Sequence, residues 1–163
     1  MSKPSTAEAN PLTSSNPGHL VYKRSRFSTR LPRDRSYTAS HVWLAGQADT
    51  VWRIGFTKFA LRFLGEPVEF DFEVAPGASV AVGDVIGWVE GFKAVTDVYC
   101  PMGGVFRGAN PDLDSDIALL QSDPYGRGWL YQVEGTPGED CVDADGYAET
   151  LDATIDKMMG KSA

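Results

Sequence analysis

The chain has 163 residues, of which 42% are hydrophobic and 23% charged, and its formal net charge is −7. This length and hydrophobic content suffice for one domain with a real core and are short for two. No stretch approaches the ~20 apolar residues of a membrane helix, so no membrane partner is expected. Two cysteines make neither a disulfide framework nor a zinc pattern. We therefore expect a cytoplasmic protein with reduced thiols and no metal site.

Basic residues are concentrated at the N-terminus. Residues 1–36 contain seven Lys and Arg against two acidic residues, whereas the whole chain has 15 basic and 22 acidic residues. The first twenty residues, rich in Pro, Ser and Asn, offer too little apolar surface to hold a fold. The sequence thus predicts a disordered basic segment over residues 1–35, in which Arg24 to Arg35 form a tether or an edge lying on the acidic body. The alternative is that this segment is an organelle transit peptide, since such peptides have a similar composition.

Turn signals divide the rest of the chain into short segments. Glycine and proline combinations that favour turns recur at residues 64–67, 75–77, 82–84, 101–104 and 110–112. Short apolar, β-branched stretches between such turns are typical of strands. A mainly β core is predicted.

A short helix is expected between the strands. Thr57 can cap its N-terminus and Gly65 can end it. Phe59 and Phe63 would then share one face.

A second helix is expected near the C-terminus. Asp143 and Asp145 can cap its first turn. Apolar residues follow at helical spacing, at Tyr147, Leu151, Ile155 and Met158. This pattern predicts a helix docked on the core.

Lys93 is the most informative residue of the chain. It stands between two apolar, β-branched stretches, and no other lysine lies between Lys58 and Lys157. Two such stretches predict a hairpin with Lys93 at its tip. An exposed tip can present a single amine to a modifying enzyme, although any exposed turn can also carry a lysine without such a role.

The residues around this tip resemble a known family. Residues 90–104, EGFKAVTDVYCPMGG, are similar to the lipoylation segment E-S-x-K-A-x-S-D-x-Y-x-P-x-x-G of the glycine cleavage H protein. Three further blocks match in the same order: SYTASHVW at 36–43, IGFT with FLG at 54–65, and QSDPYGRGWL at 121–130. The resemblance covers residues 36–159.

This resemblance implies the fold and the cofactor. It implies a lipoyl-carrier domain over residues 36–159 with the hammerhead fold, a flattened β-barrel of two sheets with a short internal helix and a C-terminal helix. It also implies (R)-lipoate attached covalently to Lys93. Of the residues the family uses for lipoylation, an acid three positions before the lysine and a glycine sixteen before it are retained as Glu90 and Gly77.

Departures from the family pattern concern the cleft that holds the arm. The family places an acid after the histidine of its opening motif, where this chain has Val42, and many members have a histidine where it has Phe63. Of the polar set, Ser40 and Asp97 remain. Burying a cation without a partner is costly, so such a cleft suits an uncharged arm better than an ammonium. Family drift with repair elsewhere is the alternative.

Two more departures favour a particular branch. Gly91 replaces the usual serine before the tip, and Cys100 replaces a small residue after it. The pattern Glu90-Gly91-Phe92-Lys93-Ala94 and the lost acid at Val42 resemble H-protein-like lipoate-binding proteins of a heterodisulfide-reductase-like sulfur oxidation system, in which the arm would carry sulfur. Cys100 and Cys141 are candidate redox thiols, although lone cysteines are usually buried apolar residues.

Other functions have less support. An enzyme needs a nucleophile beside a base, and the two histidines, His19 and His41, offer no such pair. A carrier without catalysis of its own is therefore expected, acting as a monomer. Its partners would be lipoate-protein ligase or lipoyl synthesis enzymes, and either a heterodisulfide-reductase-like complex or the glycine cleavage enzymes, for which the arm would carry an aminomethyl group. The acidic body would repel nucleic acid. An interaction module without lipoate is the remaining alternative.

Overall fold

The computed structural model describes residues 18–160. These residues form two compact units, one made of 18–36 with 142–160 and the other of Tyr37–Cys141. In chain order the elements are β1 (His19–Arg24), β2 (Phe27–Pro32), β3 (Ser36–Tyr37), β4 (Val42–Gly46), β5 (Val51–Phe56), α1 (Lys58–Leu64), β6 (Pro67–Phe72), β7 (Ser79–Val80), β8 (Val85–Gly91), β9 (Val95–Tyr99), β10 (Met102–Ala109), α2 (Asp112–Ser115), α3 (Leu119–Ser122), β11 (Tyr131–Pro137) and α4 (Ala144–Met158).

Two sheets build the larger unit. The six-stranded sheet has the order β3-β4-β5-β11-β10-β7, and the three-stranded sheet has the order β6-β8-β9. The mainly β class with a short internal helix and a C-terminal helix is confirmed. The sheets do not close into a barrel, so strand edges remain open to solvent or partners.

The core of the larger unit lies between these sheets, because strands of both contribute buried apolar side chains to one cluster. Leu44 on β4 pairs with Ile54 on β5, and neither side chain is exposed. Val89 from the smaller sheet and Val133 from the larger join the same buried cluster. Burial of this kind stabilises by about 25 cal/mol per Å² of apolar surface.

The predicted capping of α1 is confirmed. The Thr57 hydroxyl accepts a hydrogen bond from the Ala60 amide at 3.4 Å. Gly65 ends the helix with φ of +78°, a conformation that disfavours side chains. Both caps follow from local sequence alone.

The N-terminal segment is ordered where the structure describes it. Strands β1 and β2 form an antiparallel hairpin, so the prediction of disorder through residue 35 is wrong for residues 19–32. Phe27, Thr29 and Leu31 are buried in alternation with exposed neighbours, and this period of two is enough to fix a strand face. Residues 1–17 of the predicted segment lie outside the described residues.

Helix α4 belongs to the same unit as this hairpin. Its cap is confirmed, because the Asp143 carboxylate accepts from the Gly146 amide at 2.8 Å. Arg24 of β1 donates to the Asp156 carboxylate at 2.8 Å, so part of the basic segment does contact acidic residues. Tyr147, Leu151 and Ile155 are buried, as the docked face of the helix requires. The prediction that Met158 belongs to this face is wrong, because the last turn of the helix extends beyond it and leaves Met158 exposed.

Folding of the hairpin can be tested at Leu31, whose side chain is fully buried. We expect Leu31→Ala to lower the free energy of opening of β1 and β2 by about 2 to 5 kcal/mol, the usual effect of a large-to-small core substitution. Native-state hydrogen exchange measures this opening. Val21→Ala is the matched control at a site that is 47% exposed, and its effect should stay near ~0.5 kcal/mol. Equal effects of the two variants would contradict an ordered hairpin.

Candidate functional site

Lys93 lies at the tip of the β8–β9 hairpin, as predicted. The two strands are antiparallel, with Glu90 opposite Val95, and the Gly91 amide closes the turn by donating to the Ala94 carbonyl at 2.8 Å. Phe92, Lys93 and Ala94 are all exposed. The backbone of the tip is thus fixed while its lysine reaches the surface.

The tip is anchored to the end of α1. The Lys93 amide donates to the Leu64 carbonyl and the Phe92 amide to the Glu66 carbonyl, each at 3.0 Å. A Cβ on Gly65 would lie 2.9 Å from Lys93 Cγ, and a Cβ on Gly91 would overlap the Leu64 carbonyl oxygen. Both glycines are therefore required by the close approach of hairpin and helix.

The Lys93 side chain has one weak attachment. Its Nζ donates to the Arg62 carbonyl in the last turn of α1 at 3.2 Å, where the helix dipole favours a cation. An exposed bond of this kind contributes about 1 kcal/mol or less. The amine can therefore leave the helix easily for an acylating enzyme.

A cleft of about 300 Å³ borders the tip. It contains all four residues predicted for the arm cleft, Ser40, Val42, Phe63 and Asp97, so the structure brings this set together. The remaining lining residues are His41, Phe56, Ala60, Leu64, Ala94, Val95, Thr96 and Tyr99. The cleft is thus mainly apolar, with few polar groups.

The four predicted residues differ in burial. Val42 is only 5% exposed and belongs to the core cluster, whereas Phe63 is 45% exposed. Asp97 is exposed on β9, and Ser40 forms a hydrogen bond with the Thr38 hydroxyl at 2.8 Å. The carboxylate of this set is consequently solvated, while the wall beside it is apolar.

His41 lines the cleft although the sequence did not single it out as a cleft residue. Its φ is +68°, held by hydrogen bonds of its own amide to Thr38 and of the Thr57 amide to its carbonyl. Its ring lies 4.7 Å from that of Phe59. Burial lowers the pKa of His41, which keeps the imidazole neutral at neutral pH and adds no positive charge to the cleft.

Val95 and Tyr99 were also missed. They alternate with buried Val98 along β9 and are 64% and 47% exposed. Their spacing of period two places them with Asp97 on one face. Apolar residues at alternate positions of the predicted strand were the signal in the sequence that could have identified them as cleft residues.

The two predicted recognition residues occupy different places. Glu90 lies half-buried on β8, close to the tip. Gly77 lies in an exposed turn before β7, with φ of +97° and no neighbouring atom within 4 Å of a Cβ placed there. Gly77 does not line the cleft.

The two cysteines lie outside the cleft and are not bonded to each other. Cys100 is buried and its thiol donates to the Met102 carbonyl at 3.1 Å, while the Cys141 thiol contacts the Pro101 carbonyl at 4.0 Å. Burial raises the pKa of both thiols. Thiolates are the reactive form, so this environment does not favour the predicted redox role.

Within residues 18–160, no three His, Cys, Asp or Glu side chains are grouped to hold a metal ion. The same described range contains no helix that is long and apolar enough to span a membrane.

The close approach of Gly91 to Leu64 predicts that serine, the usual residue of the family at this position, would destabilise this protein. Gly91→Ser should destabilise the protein by about 1 to 3 kcal/mol, because the added atoms overlap the backbone of Leu64. Urea unfolding measures the change. Gly103→Ser is the control, since a Cβ there has its nearest neighbour at 3.9 Å. A neutral Gly91→Ser variant would show that the helix end can move away from the hairpin.

Comparison with known proteins identifies the family. The model of the family "Glycine cleavage H-protein" matches residues 35–153. The chain is 38% identical to the glycine cleavage system H protein of Mycobacteroides abscessus, covering 76% of this chain and 99% of that one. It is 34% identical to that of Pseudoalteromonas atlantica, covering 76% and 98%. A crystal structure of the H protein from Mycobacterium marinum matches with a TM-score of 0.67 and 36% identity, covering 75% and 99%. The chain therefore belongs to the glycine cleavage H-protein family, whose members carry lipoate on a lysine and are not themselves catalytic.

Proposed function

We propose that this protein carries lipoate as an amide on Lys93 and serves as the H protein of a glycine cleavage system, transferring an aminomethyl group between partner enzymes. The observation that carries the proposal is the geometry of the tip: one exposed lysine on a fixed hairpin beside a cleft of about 300 Å³. The family assignment supports it independently.

The residues of the site fit such a group. Acylation of Lys93 removes its charge, and the mainly apolar cleft suits an uncharged chain. When bound, lipoate supplies a cyclic disulfide that a thiolate opens readily, since the ring cannot reach the dihedral near ~90° of an unstrained disulfide. The protein supplies presentation and a resting place, while partners supply the catalysis.

Polar groups for a basic cargo are few in this cleft. Among the described residues that line it, Asp97 is the only carboxylate, and Ser40, Thr96 and Tyr99 are the only hydroxyls. Val42 stands at the position where the family has an acid, and its burial leaves that wall apolar. We therefore propose that the cleft retains a cationic adduct less firmly than that of an ordinary H protein.

Sulfur transfer is the second candidate. The apolar wall of Val42 and the aromatic ring of Phe63 favour an uncharged adduct, which is the observation behind it. The relatives described above are named for glycine cleavage, and they give no support to a heterodisulfide-reductase-like partner. Glycine cleavage is accordingly the preferred function.

Partners and compartment follow from this function. A lipoate-attaching enzyme must reach Lys93, and the glycine cleavage enzymes must then reach the arm. We propose that the attaching enzyme recognises the charge of Glu90, which lies close to the tip. Gly77 is proposed to maintain the turn on which that enzyme docks. A reducing cytoplasm is proposed from the two unpaired cysteines.

Attachment can be tested by substitution of the lysine. We expect Lys93→Ala and Lys93→Arg to fold normally and to carry no lipoate, because an exposed tip contributes little to the core and Arg offers no primary amine. Intact-mass spectrometry of protein made in a lipoylating host measures the addition.

Lys58→Ala is the control, since Lys58 is the preceding lysine and is also exposed. It should keep one lipoyl group. Lipoate on Lys58, or retained by Lys93→Ala, would refute the assignment. Unmodified wild-type protein in a host that lipoylates an ordinary H protein would support the interaction-module alternative.

The choice of cargo can be tested at Val42. With glycine decarboxylase and aminomethyltransferase, the lipoylated protein should turn over about tenfold more slowly than an ordinary H protein, equivalent to one lost charge contact. Val42→Glu should recover part of this difference, while its buried carboxylate should lower stability by about 1 to 3 kcal/mol.

Val42→Gln has the same shape without the charge and should not recover turnover. Recovery by both variants would indicate that size, not charge, limits the cleft. If the lipoylated wild-type protein turned over as fast as an ordinary H protein, the reason for the sulfur alternative would be gone. If even the lipoylated Val42→Glu variant showed no turnover, sulfur transfer would be favoured over glycine cleavage.

A further inference from the structure

A second groove lies in the unit Tyr37–Cys141 and shares no lining residue with the cleft beside Lys93. Its volume is about 580 Å³. One wall is β6, and the other is formed by the end of β10 and the segment that follows it. The rings of Phe72 and Phe106 lie 5.1 Å apart beside it, and Phe72 also contacts buried Tyr131 at 5.3 Å. The groove is thus supported by packed aromatic rings.

The groove runs along an open strand edge. All residues from Val68 to Phe72 border it, although their side chains alternate between the two faces of the strand. Strand β6 is the outermost strand of its sheet, paired with β8 on one side. Its outer row of backbone N–H and C=O groups therefore faces the groove, which is the arrangement that accepts an added strand.

Within residues 18–160, no strand of the opposite wall pairs with that edge. Pairing of β7 with β10 covers Gly104 and Val105, and the backbone of Phe106 also exchanges hydrogen bonds with Gly77 and Ala78. Beyond them the register of β10 shifts between Phe106 and Gly108, and Gly108 has φ of +112°. A bulge with a positive φ turns the backbone away from regular pairing. The groove therefore separates the two sheets between β6 and the end of β10.

Acidic side chains line the rim. Glu69 and Asp71 on β6 and Asp114 in α2 are exposed and border the groove. The apolar residues between them include Phe70 and Phe72, which are half-buried. A segment that fits must alternate apolar residues with basic ones, since complementary charges guide association and exclude wrong partners.

Two other occupants fit poorly. A second copy paired through β6 would bring Glu69 and Asp71 of both chains together, and like charges across strands are destabilising. Residues 1–17 of this chain have Lys3 as their only basic side chain and contain three prolines, which cannot donate to a strand ladder.

We propose that this groove binds an extended, basic segment of a partner protein, which adds to β6 as a further strand. Its backbone pairs with the outer edge of β6, its apolar side chains cover Phe70 and Phe72, and its Lys or Arg side chains meet Glu69, Asp71 and Asp114. The residues that line this groove are separate from those that line the cleft beside Lys93.

A model peptide tests the proposal on the full chain. The probe is an octapeptide of alternating valine and lysine, acetylated and amidated at its ends. Titration into the ¹⁵N-labelled protein at low salt should shift the amides of residues 68–72 and 106–109 and slow hydrogen exchange along β6. Affinity should fall as salt is added. Absence of shifts at these residues, or shifts spread evenly over the acidic surface, would overturn the proposal.

A modified peptide separates strand addition from charge attraction without altering the protein. The same octapeptide with every backbone amide nitrogen between its residues methylated keeps every charge and side chain but cannot donate the backbone hydrogen bonds of a strand ladder. We expect it to bind about tenfold more weakly, as the loss of a few backbone hydrogen bonds implies. Equal affinity of the two peptides would disprove strand addition.

A matched pair of variants tests the rim. Glu69→Lys with Asp71→Lys should weaken binding about tenfold by reversing two charges. Glu139→Lys with Asp140→Lys changes the net charge equally at two exposed acids outside the groove and should have little effect. Equal weakening by both pairs would mean that the peptide responds only to overall charge.

Discussion

The contact between the hairpin tip and the end of α1 determines the geometry of the whole site. Gly91 and Gly65 have no Cβ at the two points where the hairpin and the helix meet, and Leu64 accepts the Lys93 amide in the space so created. This contact fixes the Cα of Lys93 and also positions the residues of α1 that line the cleft. One close approach of two backbone segments therefore sets both the position of the Lys93 Cα and the wall that α1 contributes to the cleft.

A fixed base with a loosely held side chain suits a carrier. The backbone of the tip is held by hydrogen bonds to Leu64 and Glu66, whereas the Lys93 ammonium has one exposed contact with Arg62. Replacing that ammonium by an amide costs about 1 kcal/mol or less. Modification can thus change the chemistry of the site while the fold stays as it is, which a protein that meets several enzymes requires.

Local signals in the sequence predicted the local structure well. The Thr57 cap, the Gly65 stop and the Lys93 tip each depend on a few adjacent residues, and all three are present. Tertiary burial was harder to predict. The hairpin containing Leu31 was missed because a two-stranded hairpin is only marginally stable until another element packs on its apolar face. His41 was missed because its position in the cleft depends on the path of the backbone at φ of +68°. The cleft residues themselves came from family resemblance, since Ser40 and Asp97 are far apart in sequence.

Val42 links the selectivity of the cleft to the stability of the domain. It lines the cleft and also belongs to the buried core, so a carboxylate there must be desolvated even when it gains a cationic partner. Asp97 is exposed, and at ~4 Å in water an ion pair is worth only about 1 kcal/mol. Of these two positions, the exposed one holds a carboxylate and the buried one holds an apolar side chain. A charged adduct that entered this cleft would meet mainly apolar side chains and would lose much of its hydration.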